Sequence, residues 1–122
     1  AIGGKFSNLE ITTDDTFSIL MSATNCNVVS VHLNYLDQIK QRNITIIGNN
    51  GTISVDLVGN NAKFNDLEVK FSVSADDSYT AQHLAVIAND SQNICTLGDA
   101  LKVVDTVEAI EIAAKKQQWV SQ

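Results

Sequence analysis

Proline is absent from this chain of 122 residues, which also contains only two cysteines. Without proline, no strand loses a backbone donor, so none is restricted to the edge of a sheet on that ground. Cys26 and Cys95 show no Cys-x-x-Cys spacing, so they indicate neither a zinc site nor a disulfide framework. We expect both thiols to be free and reduced.

Positive charge is also scarce. Eight Lys and Arg residues are outnumbered by fourteen Asp and Glu residues, which gives a formal net charge of −6. Scattered, outnumbered basic residues argue against binding to a phosphate backbone, so we do not expect nucleic acid as a partner. No apolar run approaches the roughly 20 residues that span a bilayer, and no signal segment opens the chain. We therefore expect a cytoplasmic protein that does not bind membranes.

Clusters of metal-binding or catalytic residues are not evident in the sequence. His32 and His83 have no Cys, His or carboxylate neighbour three or four positions away, so no metal site is expected. His32 lies within a predicted strand, where an interface or hydrogen-bonding role is the simpler interpretation. The adjacent carboxylates at 14–15 and 76–77 point apart on a turn and are typical of turns and caps. The sequence predicts no catalytic residue in this chain.

Alternation of apolar and polar residues is the strongest pattern present. It covers residues 17–23, 28–35, 44–57 and 67–73, and a short extended piece is expected at 9–11. Gly48-Asn49-Asn50-Gly51 divides the third of these runs and supplies residues that tolerate positive φ, which predicts an antiparallel hairpin. We therefore expect five strands or slightly more.

Two helices are predicted in the C-terminal part of the chain. Short polar side chains at 74–77 supply N-cap oxygens for a helix over about 78–88. Apolar residues at spacings of three and four predict a longer helix that starts at about 98. No repeat or linker interrupts this order. The fold class is therefore α+β: one domain over residues 1–122, with a predominantly antiparallel open sheet of about five or six strands and two helices packed on one face.

The alternation also divides the sheet into two faces. We expect the helices to cover the apolar face, whose residues are Phe17, Ile19, Met21, Val31, Leu33, Ile44, Ile46, Ile53, Val55, Leu57, Leu67, Val69 and Phe71. The opposite face is mostly small and uncharged, whereas a solvated face usually carries more Lys, Glu and Arg. It is either a solvated face rich in Ser and Thr or the contact surface of an isologous dimer. The candidates for an oligomer contact are Ser30, His32, Asn34, Thr45, Ile47, Thr52, Ser54 and Asp56.

The chain also resembles a known family. The segments VHLNYL and ITIIGNNGTISVDL, with Arg42 between them, resemble the central hairpin of the C-terminal domain of Gfo/Idh/MocA-type oxidoreductases. These are NAD(P)-dependent sugar and cyclitol dehydrogenases. Asp77-Ser78-Tyr79 and Thr96-Leu97-Gly98-Asp99-Ala100-Leu101 are similar to the segments that open the closing helices of that domain. The resemblance covers roughly residues 8 to 120.

The resemblance implies a longer enzyme. An upstream nucleotide-binding domain would bind NAD or NADP, and this domain would form part of the substrate cleft and the homo-oligomer interface. No strand-GxGxxG-helix unit occurs here, and nothing matches the catalytic Lys motif or the Asp/His pair of the family. We therefore expect the chain alone to bind no cofactor and to be inactive. The alternative is a self-contained α+β ligand-binding or assembly module without catalytic activity.

Three residues after the third predicted strand are candidates to face the substrate. Tyr35, Gln38 and Arg42 lie in a connection that could reach the interdomain cleft of the full-length enzyme. An arginine there could bind a sugar-linked carboxylate or phosphate through paired hydrogen bonds. The alternative is an exposed loop with a solvated arginine.

Overall fold

The computed structural model describes residues 1–74 and 76–121. Its elements follow in the order β1 (Ile2–Gly4), β2 (Thr16–Ala23), β3 (Cys26–Asn34), β4 (Asn43–Gly48), β5 (Gly51–Asp56), β6 (Asn61–Phe64), β7 (Leu67–Lys70), α1 (Asp77–Ile87) and α2 (Leu97–Lys116). The α+β class with antiparallel sheets is confirmed. The strands divide between two sheets, however, rather than forming one. The chain forms two compact units: the first is Ala1–Asp37 with the chain from Cys95 onward, and the second is Gln38–Ile94.

The first unit contains the three-stranded sheet β1-β2-β3, in which each neighbouring pair is antiparallel. Phe17 faces Leu33, and Ile19 faces Val31, so the predicted apolar residues of β2 and β3 share one face. Ile19 is 8% exposed and is the best buried aliphatic side chain of this sheet. Gly3 faces Phe17, and a Cβ at Gly3 would collide with the aromatic ring. The lack of a side chain there lets the ring lie against the backbone of β1.

Helix α2 contacts β1 within this unit. Thr96 caps its first turn, because the Thr96 Oγ1 atom accepts a hydrogen bond of 3.2 Å from the Asp99 N–H group. Lys115 and Lys116 lie in the last turn, where positive charge complements the helix dipole. Gln117 ends the helix with a left-handed φ of 52°. The observed start at Leu97 is close to the predicted one.

The connection between β1 and β2 differs from its prediction. The extended piece expected at 9–11 is not formed, because the Ile11 N–H group donates to the Leu9 carbonyl oxygen at 2.8 Å and closes a γ-turn. The short strand β1 lies further toward the N-terminus, and a sequence of one isoleucine and two glycines gives no alternation that could reveal it.

The second unit contains the sheet β4-β5-β6-β7, again with antiparallel neighbours. The register places the predicted apolar residues of β4, β5 and β7 on one face, together with Ala62 and Phe64 of β6. The expectation that helices cover this face is wrong for this sheet. Ile46 is 57% exposed and Leu67 is 72% exposed, and no strand residue of this unit is buried.

Two tight turns shape this sheet. The predicted hairpin between β4 and β5 is confirmed, and Gly51, with a φ of 146°, is the residue of its turn that adopts positive φ. Between β6 and β7 the left-handed position is taken by Asn65, with a φ of 52°. The Asn65 N–H group donates to the Thr52 carbonyl, and the Thr52 N–H group donates to Asn65 Oδ1, each at 2.9 Å. These bonds extend the ladder between β5 and β6.

Helix α1 begins and ends within one residue of the predicted limits. The expected side-chain cap is not formed, because Asp76 at the N-cap makes no capping hydrogen bond. The Asp77 carboxylate instead accepts hydrogen bonds of 2.7 Å from both the Ser74 N–H group and the Ser74 hydroxyl. These bonds, the hydroxyl first, lower the pKa of Asp77. Asn89, with a φ of 52°, ends the helix at the predicted polar cluster.

Candidate functional site

The polar face of the first sheet holds a chain of three hydrogen-bonded side chains. Ser18 faces His32 across β2 and β3, and its Oγ atom lies 2.8 Å from His32 Nδ1. The Asn34 side-chain nitrogen lies 3.1 Å from His32 Nε2. Residues two apart on a strand share a face, so the predicted surface of Ser30, His32 and Asn34 is present on β3.

The orientation of Asn34 determines the proton position on His32. Asn34 Oδ1 accepts hydrogen bonds from the backbone N–H groups of Leu36, at 2.8 Å, and Asp37, at 2.7 Å. The amide nitrogen must therefore face His32, and since it can only donate, Nε2 of the ring accepts. The ring proton then lies on Nδ1 and is donated to Ser18. Both ring nitrogens are hydrogen-bonded, so His32 connects Ser18 of β2 with Asn34 of β3.

The polar face of the second sheet brings together the other oligomer candidates. Thr45 faces Ser54, and Ile47 faces Thr52, so these four share one side of the hairpin. Asp56 lies on the same face, but its carboxylate is held in the following turn by the N–H groups at 58 and 59. Ile47 is 81% exposed in the middle of this otherwise small and polar surface. A single exposed aliphatic side chain is common on protein surfaces, so Ile47 alone does not identify a contact surface.

The three substrate-facing candidates fall in different units. Tyr35 belongs to the first unit; it follows β3, and its N–H group donates to the Asp15 carbonyl at 2.9 Å. Gln38 and Arg42 belong to the second unit and precede β4. The Arg42 carbonyl accepts a hydrogen bond of 2.9 Å from the Leu57 N–H group, which extends the β4-β5 ladder and fixes the backbone from which the exposed guanidinium projects. All three side chains are exposed.

A buried carboxylate organises the first unit. Asp15 is 3% exposed, and its oxygens accept bonds from the Phe6 and Ser7 N–H groups and from the Ser7 and Thr16 hydroxyls, at 2.6 to 3.2 Å. Lys5 Nζ lies 3.9 Å from it. The Ser7 hydroxyl, followed by the Phe6 N–H group, holds the pKa of Asp15 well below its usual range.

The backbone N–H and C=O groups of Asp15 are also hydrogen-bonded. Its N–H group donates to the Gly4 carbonyl at 3.0 Å, and its carbonyl accepts from Tyr35. One residue thus ties the β1-β2 connection to the start of β2 and the end of β3. The sequence indicated a turn at 14–15, but it did not show which of the two carboxylates would be buried. The Asp15 carboxylate therefore has a structural role as the acceptor that holds the β1-β2 connection.

A small cleft of about 230 Å³ lies in the first unit beside α2. Gly3, Phe17 and Ala114 line it together with Glu111 and Lys115, whose charged groups lie 4.0 Å apart. Gly4 and Asp14 also line the cleft, so its charged groups are two carboxylates and one ammonium group, and the Glu111–Lys115 pair is itself exposed.

Metal-binding geometry is not found in residues 1–74 and 76–121, where no group of three or more His, Cys, Asp or Glu residues could hold an ion. Both cysteines are free and exposed. Within the same residues, neither helix has the length and apolar character needed to cross a membrane.

Comparisons with protein-family models, curated proteins and solved structures find no match to this chain. Its function is therefore inferred from its own residues and surfaces.

Proposed function

We propose that this chain is the C-terminal domain of a cytoplasmic Gfo/Idh/MocA-type NAD(P)-dependent sugar or cyclitol dehydrogenase. In this proposal it forms part of the substrate cleft and the homo-oligomer interface. Hydride transfer takes place at a nicotinamide held by an upstream nucleotide-binding domain, so the chain alone has no activity and holds no cofactor.

The observation that carries this proposal is the exposed apolar face of β4 to β7. Ile46, Phe64 and Leu67 are aligned on that face by the strand register, yet all three are exposed. Exposed apolar surfaces of this kind mark sites where another domain or subunit packs. A domain that belongs to a larger enzyme has this property.

The polar faces support the oligomer part of the proposal. Ser18, His32 and Asn34 form a network without net charge on β2 and β3. On the hairpin, Thr45 and Ser54 flank the exposed Ile47. Two copies of such a surface can meet without burying like charges, which suits an isologous contact.

The substrate-wall part of the proposal depends on Arg42 of the second unit and, separately, on Tyr35 of the first unit. An exposed guanidinium on a fixed backbone can bind a carboxylate or phosphate of the substrate with two parallel hydrogen bonds. An exposed tyrosine offers an apolar ring and a hydroxyl, a combination that suits contact with a sugar.

A second candidate function is a self-contained α+β ligand-binding or assembly module without catalytic activity. The same exposed face of β4 to β7 favours it, because a partner protein alone could cover this surface. In that case the family resemblance reflects a shared scaffold only.

Reading the coding sequence upstream of Ala1 separates the two candidates. The dehydrogenase proposal expects a strand-GxGxxG-helix unit there, and a reading frame without it would contradict the proposal. The longer protein should bind NADH or NADPH in a fluorescence titration, whereas the 122-residue chain should bind neither.

Substrate recognition is tested in the longer enzyme. The variant Arg42→Ala should raise KM for an acidic or phosphorylated sugar, with a smaller effect on kcat. Lys40→Ala is the matched control, since it removes a nearby positive charge from the same connection. Equal effects of both variants on KM would show that the connection attracts the substrate only through its overall positive charge.

A further inference from the structure

The two edge strands of the second sheet differ in how well they are protected against pairing with a strand of another chain. The β7 edge, with the sequence LEVK, carries Glu68 and Lys70, and Glu68 also lies 3.5 Å from Lys63. The β4 edge, with the sequence NITIIG, has no charged residue, no proline and no register shift against β5. Charges, prolines and bulges are the usual means by which edges avoid pairing with another chain. The β4 edge has none of them.

The hydrogen-bond ladder shows which groups of β4 point outward. Arg42 and Leu57 form a hydrogen-bonded pair, so residues 44, 46 and 48 are also bonded to β5. The other end of the hairpin agrees, because both backbone groups of Thr52 are directed at Asn65 and therefore not at Ile47. The N–H and C=O groups of residues 43, 45 and 47 consequently point away from β5, on the side where β4 has no neighbouring strand in its sheet.

We propose that β4 pairs antiparallel with β4 of a second copy of this chain, with Thr45 on the two-fold axis. In this register Thr45 faces Thr45 of the second copy, and Asn43 faces Ile47. All three facing pairs consist of residues whose backbone groups point outward, which gives about six hydrogen bonds, two for each pair. The proposal does not depend on the enzyme assignment.

The side chains are compatible with this register. Ile44 lies beside Ile46 of the second copy on the apolar face, and the two Thr45 side chains lie together on the polar face. Shifting the register by one residue sets outward groups against inward ones and mixes the two faces. A shift of two residues leaves only two pairs in which outward-pointing residues lie opposite each other, instead of three. The self-complementarity of β4 is thus specific for one alignment.

A second copy is favoured over a different partner because β4 complements itself in this register, with outward-pointing residues facing outward-pointing residues and each face continuing the same face of the other copy. The two four-stranded sheets would form one continuous sheet in which the faces that contain Ile46 and Phe64 are contiguous. The edge contact alone is smaller than the roughly 800 Å² per partner of a standard interface. We therefore expect a dimer that dissociates at micromolar concentrations.

Disulfide trapping tests the register directly. Cys26 and Cys95 are first changed to serine, since both are exposed. Thr45→Cys in that background should then form a disulfide-linked dimer on mild oxidation, because the Cα atoms of such a pair lie about 5.5 Å apart. Ser54→Cys is the matched control. It is the β5 neighbour of Thr45 on the same face, but its Cα atoms in the proposed dimer are separated by three strand spacings, roughly 14 Å.

Sedimentation over micromolar to millimolar concentrations provides the second measurement. Thr45→Pro removes the N–H group that points across the axis but none that bonds β5, and should weaken the dimer roughly tenfold or more. Thr45→Lys places two like charges opposite each other and should act in the same direction, while Ser54→Lys spares the edge pairing and would disrupt only a contact through the polar face. Circular dichroism confirms folding of each variant. If Thr45→Pro does not fold, Thr45→Lys supplies the test.

Three outcomes would overturn the proposal. The unmodified chain could remain monomeric throughout the concentration range, Ser54→Cys could cross-link as readily as Thr45→Cys, or the two lysine variants could weaken the dimer equally. The last result would indicate pairing through the polar face instead. An upstream sequence without a nucleotide-binding unit would refute the enzyme proposal and leave the edge pairing unaffected.

Discussion

The sheet β1-β2-β3 and the sheet β4-β5-β6-β7 have the same antiparallel alternation but differ in what stabilises them. In the first, Ile19 and Asp15 are buried and α2 contacts β1. In the second, no strand residue is buried. Alternation therefore determines which face of a sheet is apolar, while the burial of that face depends on elements or partners elsewhere.

Removal of the Asp15 carboxylate should have the largest effect on the first sheet. Asp15→Ala leaves the Phe6 and Ser7 N–H groups without their acceptor and should lower the unfolding temperature of this unit by many degrees. Thermal unfolding followed by circular dichroism measures the change. Asp14→Ala is the control, because Asp14 is exposed and directly precedes Asp15. Equal losses in the two variants would show that the carboxylate does not anchor the sheet.

Deletion of side chains from the two apolar faces compares the sheets directly. Ile19→Ala removes a buried side chain and should reduce the free energy of unfolding by about 2–4 kcal/mol. Ile46→Ala removes a side chain that is more than half exposed and should cost less than about 1 kcal/mol in the same chain. Urea denaturation measures both. A similar cost at both positions would show that the second face is covered in solution.

The effect of acid should be smaller and should involve mainly the first sheet. The folded-state pKa of Asp15 lies below the ordinary value of 3.8, so the unfolded chain binds more protons as the pH falls. The stabilisation is therefore complete well above pH 3.8 and is lost progressively below it. Unfolding temperatures measured between about pH 7 and pH 2 should decrease more for the unmodified chain than for Asp15→Asn. If the unfolding temperatures of the two proteins decreased equally with pH, the lowered pKa of Asp15 would be contradicted.

Much of the fold could be predicted from local patterns. Alternation identified the apolar faces, the glycine and asparagine tetrad identified the hairpin, and short polar residues identified the helix starts. The strands β1 and β6 were missed, because β1 is three residues without alternation and the alternation of β6 covers only four residues. Such short segments become strands through pairing with longer neighbours. The separation into two sheets was missed for the same reason, since pairing is decided by tertiary contacts.

The sequence could place candidate site residues together only where they lie on the same strand. A period of two placed His32 and Asn34 on one face, but their link to Ser18 required the register between β2 and β3. The burial of Asp15 required the fold of the preceding connection, in which Phe6 and Ser7 turn their N–H groups toward one carboxylate. Neither feature has a signal in the sequence, because both join residues from different elements.

The smallest expected effects come from polar side chains at the starts of the two helices, and they distinguish the stability of one unit from that of the other. Thr96→Ala removes the acceptor of the Asp99 N–H group and should destabilise α2 by about 1 kcal/mol. Because α2 contacts β1, hydrogen exchange should accelerate in β1 and β2 but not in β4 to β7. Ser74→Ala is the counterpart in the second unit, where it removes one donor to Asp77 and should affect α1. Accelerated exchange in both sheets after Thr96→Ala would show that the two units unfold together.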